Sequence, residues 1–122
     1  MEELTKTEER IIQIIWKLKN AFVKDIIEAI PEHPKPPYNT ISSVVRLLEK
    51  KGYVGYKAYG KTYEYFPLVS KSEYRKLYFK SMLLGYFDNS AESLLLFMVK
   101  EQKISKEEME KIRKIIKKNS KE

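Results

Sequence analysis

One stretch, Tyr38–Phe66, constrains what this chain can fold into more than any other. Apolar residues recur at positions 41, 44, 45 and 48, which is the spacing of a helix with one buried face. Gly52 follows two lysines, and glycine adopts the left-handed conformation that closes many helices. The pattern therefore predicts an amphipathic helix that begins at Tyr38 and ends just before Gly52.

The opposite face of this helix carries small hydroxyl and amide groups around one arginine, instead of the usual mixture of Glu and Lys. Such side chains let a helix backbone lie close to base edges in the major groove of DNA. The sequence thus predicts a DNA-reading helix. Its predicted contact residues are Asn39, Thr40, Ser42, Ser43, Arg46 and Lys50.

Two short segments after Gly52 alternate and are rich in aromatic and β-branched residues, which predicts the strands Tyr53–Lys57 and Thr62–Phe66. Between them Ala58-Tyr59-Gly60 is predicted to form a short turn. A polar, cationic helix followed directly by a hairpin with a basic tip is the pattern of a winged helix. The tip residues predicted to contact the DNA backbone are Lys57, Tyr59 and Lys61.

The preceding residues supply the rest of such a domain. Thr5-x-x-Glu8 is a capping box that opens a helix to about Leu18. Ala21–Val23 is a candidate third strand, and Lys24–Ile30 a second helix. The proline-rich residues 31–37 form a stiff connector. We predict a mainly α chain: an N-terminal winged helix-turn-helix domain with a small β-hairpin wing (1–69), followed by a three-helix dimerisation domain (70–122).

The second half contains more apolar surface than about 50 residues bury alone. Capping boxes at Ser70 and Ser105 and a cap at Ser90 open its three helices, and Leu94–Val99 is apolar on every side of its helix. A second copy of the chain would cover this surface, and its two-fold symmetry suits a pseudo-palindromic DNA site. A small-ligand pocket between the helices is the competing interpretation. The predicted dimer interface comprises Tyr74, Leu77, Tyr78, Leu94, Leu95, Leu96, Phe97, Met98, Ile112, Ile115 and Ile116.

Composition excludes several other classes of protein. The formal charge of +7, from 24 Lys and Arg against 17 Asp and Glu, favours a polyanionic partner. The absence of cysteine excludes disulfides and thiolate metal sites, and His33 is the single histidine. We therefore expect a protein that binds no metal or cofactor and has no enzymatic activity. The sequence has no apolar run long enough to span a membrane and no signal-peptide core, so we expect a cytoplasmic protein.

A set of short motifs runs through nearly the whole chain. They are Leu4-Thr5-x-x-Glu8, Trp16 with Val23-Lys24-Asp25-Ile26, Thr40-Ile41 through Leu48, Lys50-Lys51-Gly52-Tyr53, Lys61-Thr62-Tyr63-Glu64-Tyr65, Ser93-Leu94-x-Leu96, Ile104-Ser105 and the helix Glu107–Ile116. Taken in order, these motifs resemble the penicillinase-repressor (BlaI/MecI-type) family of transcriptional regulators. The resemblance implies a homodimeric winged-helix repressor that binds operator inverted repeats with TACA/TGTA-like cores.

The resemblance also implies a mode of release. In antibiotic-responsive members, a membrane sensor-protease signals β-lactam and the repressor is cleaved in its dimerisation domain, at an Asn-Phe bond after a Leu-x-Leu stretch. A membrane sensor-protease or its downstream protease is therefore an implied partner, and cell-wall antibiotic stress the implied signal. The matching bond here is Phe97-Met98, so the expected Asn is replaced by Phe97. The cysteine cluster of copper-responsive relatives has no counterpart in this chain.

A different class of function fits the same fold. Winged-helix domains also serve as protein-interaction adaptors without sequence-specific DNA binding. The two functions differ in their response to salt, because neutralisation of phosphates makes DNA affinity fall steeply as the salt concentration rises.

Overall fold

The computed structural model describes residues 2–101 and 103–119. The helices and strands of this part follow the predicted order, so the predicted fold class, a winged helix-turn-helix followed by a helical part, is confirmed. In chain order they are α1 (Lys6–Leu18), α2 (Val23–Ala29), α3 (Tyr38–Lys50), β1 (Val54–Tyr59), β2 (Thr62–Pro67), α4 (Lys71–Phe87), α5 (Ala91–Lys100) and α6 (Lys106–Asn119).

The chain divides into two compact units, Met1–Lys76 and Leu77–Glu122. The division lies within α4, beyond the boundary after Val69 that the sequence predicts. Compactness does not decide which segment folds independently, so the domains 1–69 and 70–122 stay a prediction.

The core of the first unit lies between the apolar stripes of α1 and α3. Ile12 and Ile15 of α1 and Val45 and Leu48 of α3 are fully buried, together with Ile26 of α2. Burying a side chain of this size contributes roughly 2 kcal/mol. These contacts fix the rotation of α3 about its own axis, and so determine which of its side chains face outward.

The ends of the helices are closed as the sequence predicts. At the start of α1 the Glu8 N–H donates to Thr5 Oγ1 (3.1 Å) and the Thr5 N–H donates to Glu8 Oε1 (2.8 Å). The same reciprocal pair opens α4 at Ser70 and Glu73, and opens α6 at Ser105 and Glu108. These caps satisfy amide groups that a helix leaves unpaired at its N-terminus.

Helix α3 ends at Lys50, and Gly52 two residues later has a φ of +87°, which confirms the predicted left-handed cap. The Gly52 N–H donates to the Glu49 carbonyl (3.0 Å), and the Tyr53 N–H donates to the Leu48 carbonyl (2.9 Å). These two hydrogen bonds together form a Schellman motif. The carbonyl of Tyr53 then accepts from the Leu68 N–H (2.8 Å), so this buried residue joins the end of α3 to the base of the wing.

Strands β1 and β2 pair antiparallel from Val54 opposite Pro67 to Tyr59 opposite Thr62. The turn is therefore Gly60-Lys61, and the predicted turn Ala58-Tyr59-Gly60 is wrong, because pairing continues as far as Tyr59. Gly60 has a φ of +62°, which a two-residue hairpin turn of this kind requires. The Thr62 hydroxyl donates to the Tyr59 carbonyl (2.9 Å) across the turn.

The predicted third strand, Ala21–Val23, is reduced to one residue. Ala21 exchanges two backbone hydrogen bonds with Tyr65, at 2.9 and 2.7 Å. Phe22 and Val23 do not continue the strand, because the Asp25 carboxylate accepts from the Phe22 N–H (2.9 Å) and α2 begins at Val23. Phe22 and Val23, which the sequence pattern assigned to a strand, are the N-cap and the first residue of α2.

A buried ion pair joins α1 to the C-terminal end of α3. Glu8 is 3% exposed, and its Oε1 lies 2.7 Å from Nζ of Lys51. The same ammonium group lies 3.4 Å from the carbonyl of Glu3. Lys51 therefore supports the fold, while its neighbour Lys50 is exposed.

The first turn of α4 packs within the first unit. The Tyr74 hydroxyl donates to Glu9 Oε2 (2.6 Å), and its ring lies 6.0 Å from that of Trp16. The indole N–H of Trp16 donates to the Val69 carbonyl (2.9 Å). Tyr74 thus has contacts inside its own chain, and its place in a dimer interface stays a prediction.

The second unit has little core of its own. Among its described residues only Ile104 is buried. Phe97 of α5 packs edge-on against Phe87 of α4 with ring centres 5.5 Å apart, yet half of its surface remains exposed. Other large apolar side chains of this unit are exposed as well: Leu77, Tyr78, Phe79, Leu84, Tyr86, Leu96, Ile115 and Ile116.

Replacing Lys51 with alanine should clearly lower the free energy of unfolding of the full chain, because the Glu8 carboxylate, which is 3% exposed, loses its charged partner. Lys50→Ala is the matched control and should change it by less than about 0.5 kcal/mol. Urea denaturation at neutral pH compares the two variants. Equally small losses would show that the Glu8–Lys51 pair contributes little.

The same pair predicts a pH dependence. Burial acts to raise the pKa of Glu8, but hydrogen bonds from Lys51 and Thr5 outweigh burial and hold this pKa below its ordinary value. The stabilisation is therefore complete above the pKa of an unfolded glutamate and is lost as the pH falls through the folded value. The stability difference between the wild type and Lys51→Ala should shrink below about pH 4.

Candidate nucleic-acid interface

The outward face of α3 carries the predicted DNA contacts. Asn39, Thr40, Ser43, Arg46 and Lys50 are exposed. They lie opposite the buried stripe of the same helix, as its periodicity requires. Ser42, which the sequence includes among the contacts, is half-buried at the edge of this face.

The Arg46 guanidinium makes no hydrogen bond or ion pair with any residue in the described part of the chain. Its fork of donors is free to bind two acceptors at once, as on a guanine edge or a phosphate. Arg46 also lies close enough to the Tyr65 phenol to affect the pKa of that group. Burial and then Glu49 raise the pKa of Tyr65, while Arg46 acts to lower it.

Ser43 has a more restricted role than its exposure indicates. Its hydroxyl donates to the Asn39 carbonyl one turn earlier (2.9 Å), so its proton is already engaged with the helix backbone. The lone pairs of the oxygen remain free to accept. Ser43 is therefore suited to accept a hydrogen bond from an exocyclic amine of cytosine or adenine.

The predicted wing residues lie along one edge of the hairpin. Lys61 is in the turn, Tyr59 is the last residue of β1, and Lys57 lies two residues before Tyr59 on the same face of the strand. The Lys57 ammonium lies 5.4 Å from the centre of the Tyr59 ring, within the range of a cation–π contact. The Phe22 ring supports Tyr59 at 5.8 Å, so the edge is held near the start of α2.

Three exposed tyrosines adjoin this surface and were missed by sequence reasoning. Tyr56 and Tyr63 stack across the two strands with ring centres 4.3 Å apart and planes inclined by 16°. Tyr38, the first residue of α3, lines a cleft of about 190 Å³ with Lys24 and Tyr63. The register of the hairpin pairs Tyr63 with Ala58 and so places Tyr63 diagonally to Tyr56, which the alternation of the two strands does not reveal without the position of the turn.

Helix α3 exposes one further residue outside the predicted set. Leu47 of α3 is 48% exposed and lies on the outward side, one turn after Ser43. The helical spacing already separates it from the buried stripe, because it falls about 120° away from Ile41.

The arrangement as a whole is a helix with an exposed polar face beside a cationic hairpin. A convex helix of this kind fits the major groove, and a hairpin beside it meets the sugar–phosphate backbone or the minor groove. Among the described residues, no cluster of His, Cys, Asp or Glu could hold a metal ion. In the same part of the chain, no helix is long and apolar enough to cross a membrane.

A family model described as "Penicillinase repressor" matches residues 4–118, which cover most of both units. The chain belongs to the penicillinase-repressor family. The family resemblance noted from the sequence motifs is thereby confirmed, and membership makes this protein a transcriptional repressor.

Individual relatives agree with that assignment. Methicillin resistance regulatory protein MecI of Staphylococcus aureus (strain N315) is 29% identical over 116 residues, which cover 95% of this chain and 94% of that protein. MecI of Mammaliicoccus sciuri has the same identity and coverage. The penicillinase repressor of Bacillus licheniformis is 22% identical over 114 residues, or 93% of this chain and 89% of that protein.

Replacing both Lys57 and Lys61 with alanine should reduce the slope of log affinity against log salt by up to about two per protomer, because fewer counterions are released from DNA. The preference for one DNA sequence over another should be retained. The matched control is the double replacement of Lys6 and Lys17, two exposed lysines of α1, and should leave the slope unchanged. An unchanged slope in the wing variant would place the wing off the DNA.

Proposed function

We propose that this repressor is a homodimer that binds a pseudo-palindromic operator, with α3 of each protomer in the major groove and the wing along the adjoining backbone. One observation carries the proposal: α3 has a polar outward face whose arginine is unpaired within the described part of the chain. A solvated helix face would more often pair its charges at a spacing of three or four residues.

Charge supports the same surface. Arg46, Lys50, Lys57 and Lys61 are exposed on α3 and the wing. Lys51 does not add to this set, because it is already paired with Glu8. The three lysines suit the phosphates on either side of a major groove, and Arg46 is left for the base edges.

A homodimer is supported by the second unit. Its helices expose large apolar side chains, and Ile104 alone among its described residues is buried. An apolar surface of this extent is stable in water when a partner covers it, and a second copy of the chain brings the same surface. Two-fold symmetry would then present two identical reading helices to two half-sites.

The bond that matches the family cleavage site lies inside α5. The Phe97 carbonyl accepts from the Glu101 N–H (2.9 Å), and the Met98 carbonyl accepts from the Lys103 N–H (2.9 Å). We propose that cleavage near this bond by a membrane sensor-protease or its downstream protease, in response to cell-wall antibiotic stress, releases the operator by separating the protomers. The name of the MecI relatives, a methicillin resistance regulatory protein, supports the signal.

Arg46→Ala should weaken operator binding about tenfold or more, because a lost base contact reduces affinity by about 1–3 kcal/mol. Binding to random DNA should weaken much less. Competition binding at one salt concentration measures both, with Lys17→Ala as the control on α1. Equal weakening on operator and random DNA would make Arg46 a phosphate contact and remove it from base reading.

Leu96→Asp should abolish the dimer and tight operator binding together, because a charge in a dry interface destabilises it by several kcal/mol. The matched control, Ala91→Asp, puts the same charge in the first turn of α5, where the helix dipole favours it. Sedimentation equilibrium and operator titration are measured on both variants. A wild-type monomer at micromolar concentration that binds a full operator tightly and without cooperativity would contradict the dimer.

A salt titration separates operator binding from the adaptor alternative. A repressor that neutralises phosphates loses affinity steeply as salt rises, whereas a protein-binding adaptor would show no such response to DNA. Selection of bound fragments from the source genome supplies the operator for this test. Failure to enrich any sequence would favour the adaptor.

A further inference from the structure

Leu47 is a large apolar side chain on a helix face that is otherwise polar. Its neighbours at the preceding turns are Thr40 and Ser43, and all three lie on the outward side of α3. Leu48, the next residue, is fully buried in the core, whereas Leu47 is 48% exposed. About half of the Leu47 surface therefore lies outside the packing of the domain and is available to contact whatever α3 binds.

The chemistry of the major groove leaves one type of partner for an aliphatic group. Base edges there present nitrogen and oxygen donors and acceptors, and the apolar exception is the C5-methyl group of thymine. Ser43 strengthens this assignment. Its hydroxyl proton is donated to the Asn39 carbonyl, so Ser43 does not donate a hydrogen bond to a base beside Leu47. The polar part of the face, around Arg46, lies about 100° away around the helix.

We propose that Leu47 packs against the C5-methyl group of one thymine in each operator half-site, and that this contact makes the protein distinguish thymine from bases without the methyl group. The inference rests on the proposed function, since it requires α3 in the major groove. It adds a specificity-determining residue that recognises by shape and apolar contact, where Arg46 recognises by hydrogen bonding.

The test removes the methyl group and leaves every hydrogen bond of the base pair in place. Each thymine of one half-site is replaced in turn by deoxyuridine, and the affinity of the full-length wild type for each duplex is measured. Removal of one buried methyl group should weaken binding about fourfold at a single position of the half-site. Leu47→Ala should bind the thymine and deoxyuridine duplexes equally at that position.

Two further variants distinguish a direct contact from a structural effect. Leu47→Met keeps an aliphatic side chain of similar size and should retain most of the discrimination. Leu68→Ala removes another exposed leucine, 58% exposed after β2, and should retain all of it. About half of the Leu47 surface is exposed, so its variants should fold, and circular dichroism tests whether they do.

The outcomes separate this inference from the proposed function. A wild type that prefers its operator but binds every deoxyuridine duplex as well as the thymine duplex would overturn the methyl contact alone. Discrimination that persists unchanged in Leu47→Ala would assign the methyl contact to another residue and overturn it too. A protein without any preference for operator over random DNA would overturn the proposed function and this inference with it.

Discussion

The packing of α3 onto α1 is the contact on which the DNA-binding surface depends. A helix turns by about 100° per residue, so burying Ile41, Val45 and Leu48 leaves no freedom in the choice of the residues that face away. The outward set that includes Asn39, Ser43 and Arg46 is a consequence of that burial. A shift of one residue in the stripe would turn a leucine outward and the arginine toward the core. Core packing and base recognition are thus two results of one periodicity.

The C-terminal end of α3 is fixed by separate means, and the wing depends on it. Lys51 ties this end to the buried Glu8, and Gly52 allows the chain to reverse. The backbone of Tyr53 then bonds to the last turn of α3 and to the residues that follow β2. The hairpin therefore starts from an anchored base, while its turn and cationic edge remain free to meet a partner.

Local chemistry made much of the fold predictable from the sequence. Capping boxes at Thr5, Ser70 and Ser105 involve residues only three apart, and all three form. The same holds for the glycine cap at position 52. Predictions were wrong where a competing contact decided the outcome. The Asp25 carboxylate accepts a hydrogen bond from Phe22, which makes Phe22 the N-cap of α2 instead of a strand residue. Cross-strand pairing continues to Tyr59, so β1 is longer than predicted.

The residues that α3 contributes to the candidate site were predictable from the sequence, whereas the residues around α3 were less so. The amphipathic pattern alone identifies Arg46 and its polar neighbours. The pattern does not distinguish Lys50 from Lys51, because the two adjacent lysines differ only in that Lys51 pairs with Glu8, which is distant in the sequence. The tyrosine stack of Tyr56 and Tyr63 likewise needs the strand register, which depends on where the turn lies.

The position of the Phe97–Met98 bond within α5 has a consequence for timing. Proteases bind their substrates as extended chain, so a bond held in a helix is cut only while that helix is locally open. When opening and closing are fast compared with cleavage, the rate of cutting follows the small open population. The stability of the last turn of α5 would then set how quickly a cell responds after a signal arrives. If the repressor is cut at this bond, the delay before release would depend on the strength of a few backbone hydrogen bonds in α5.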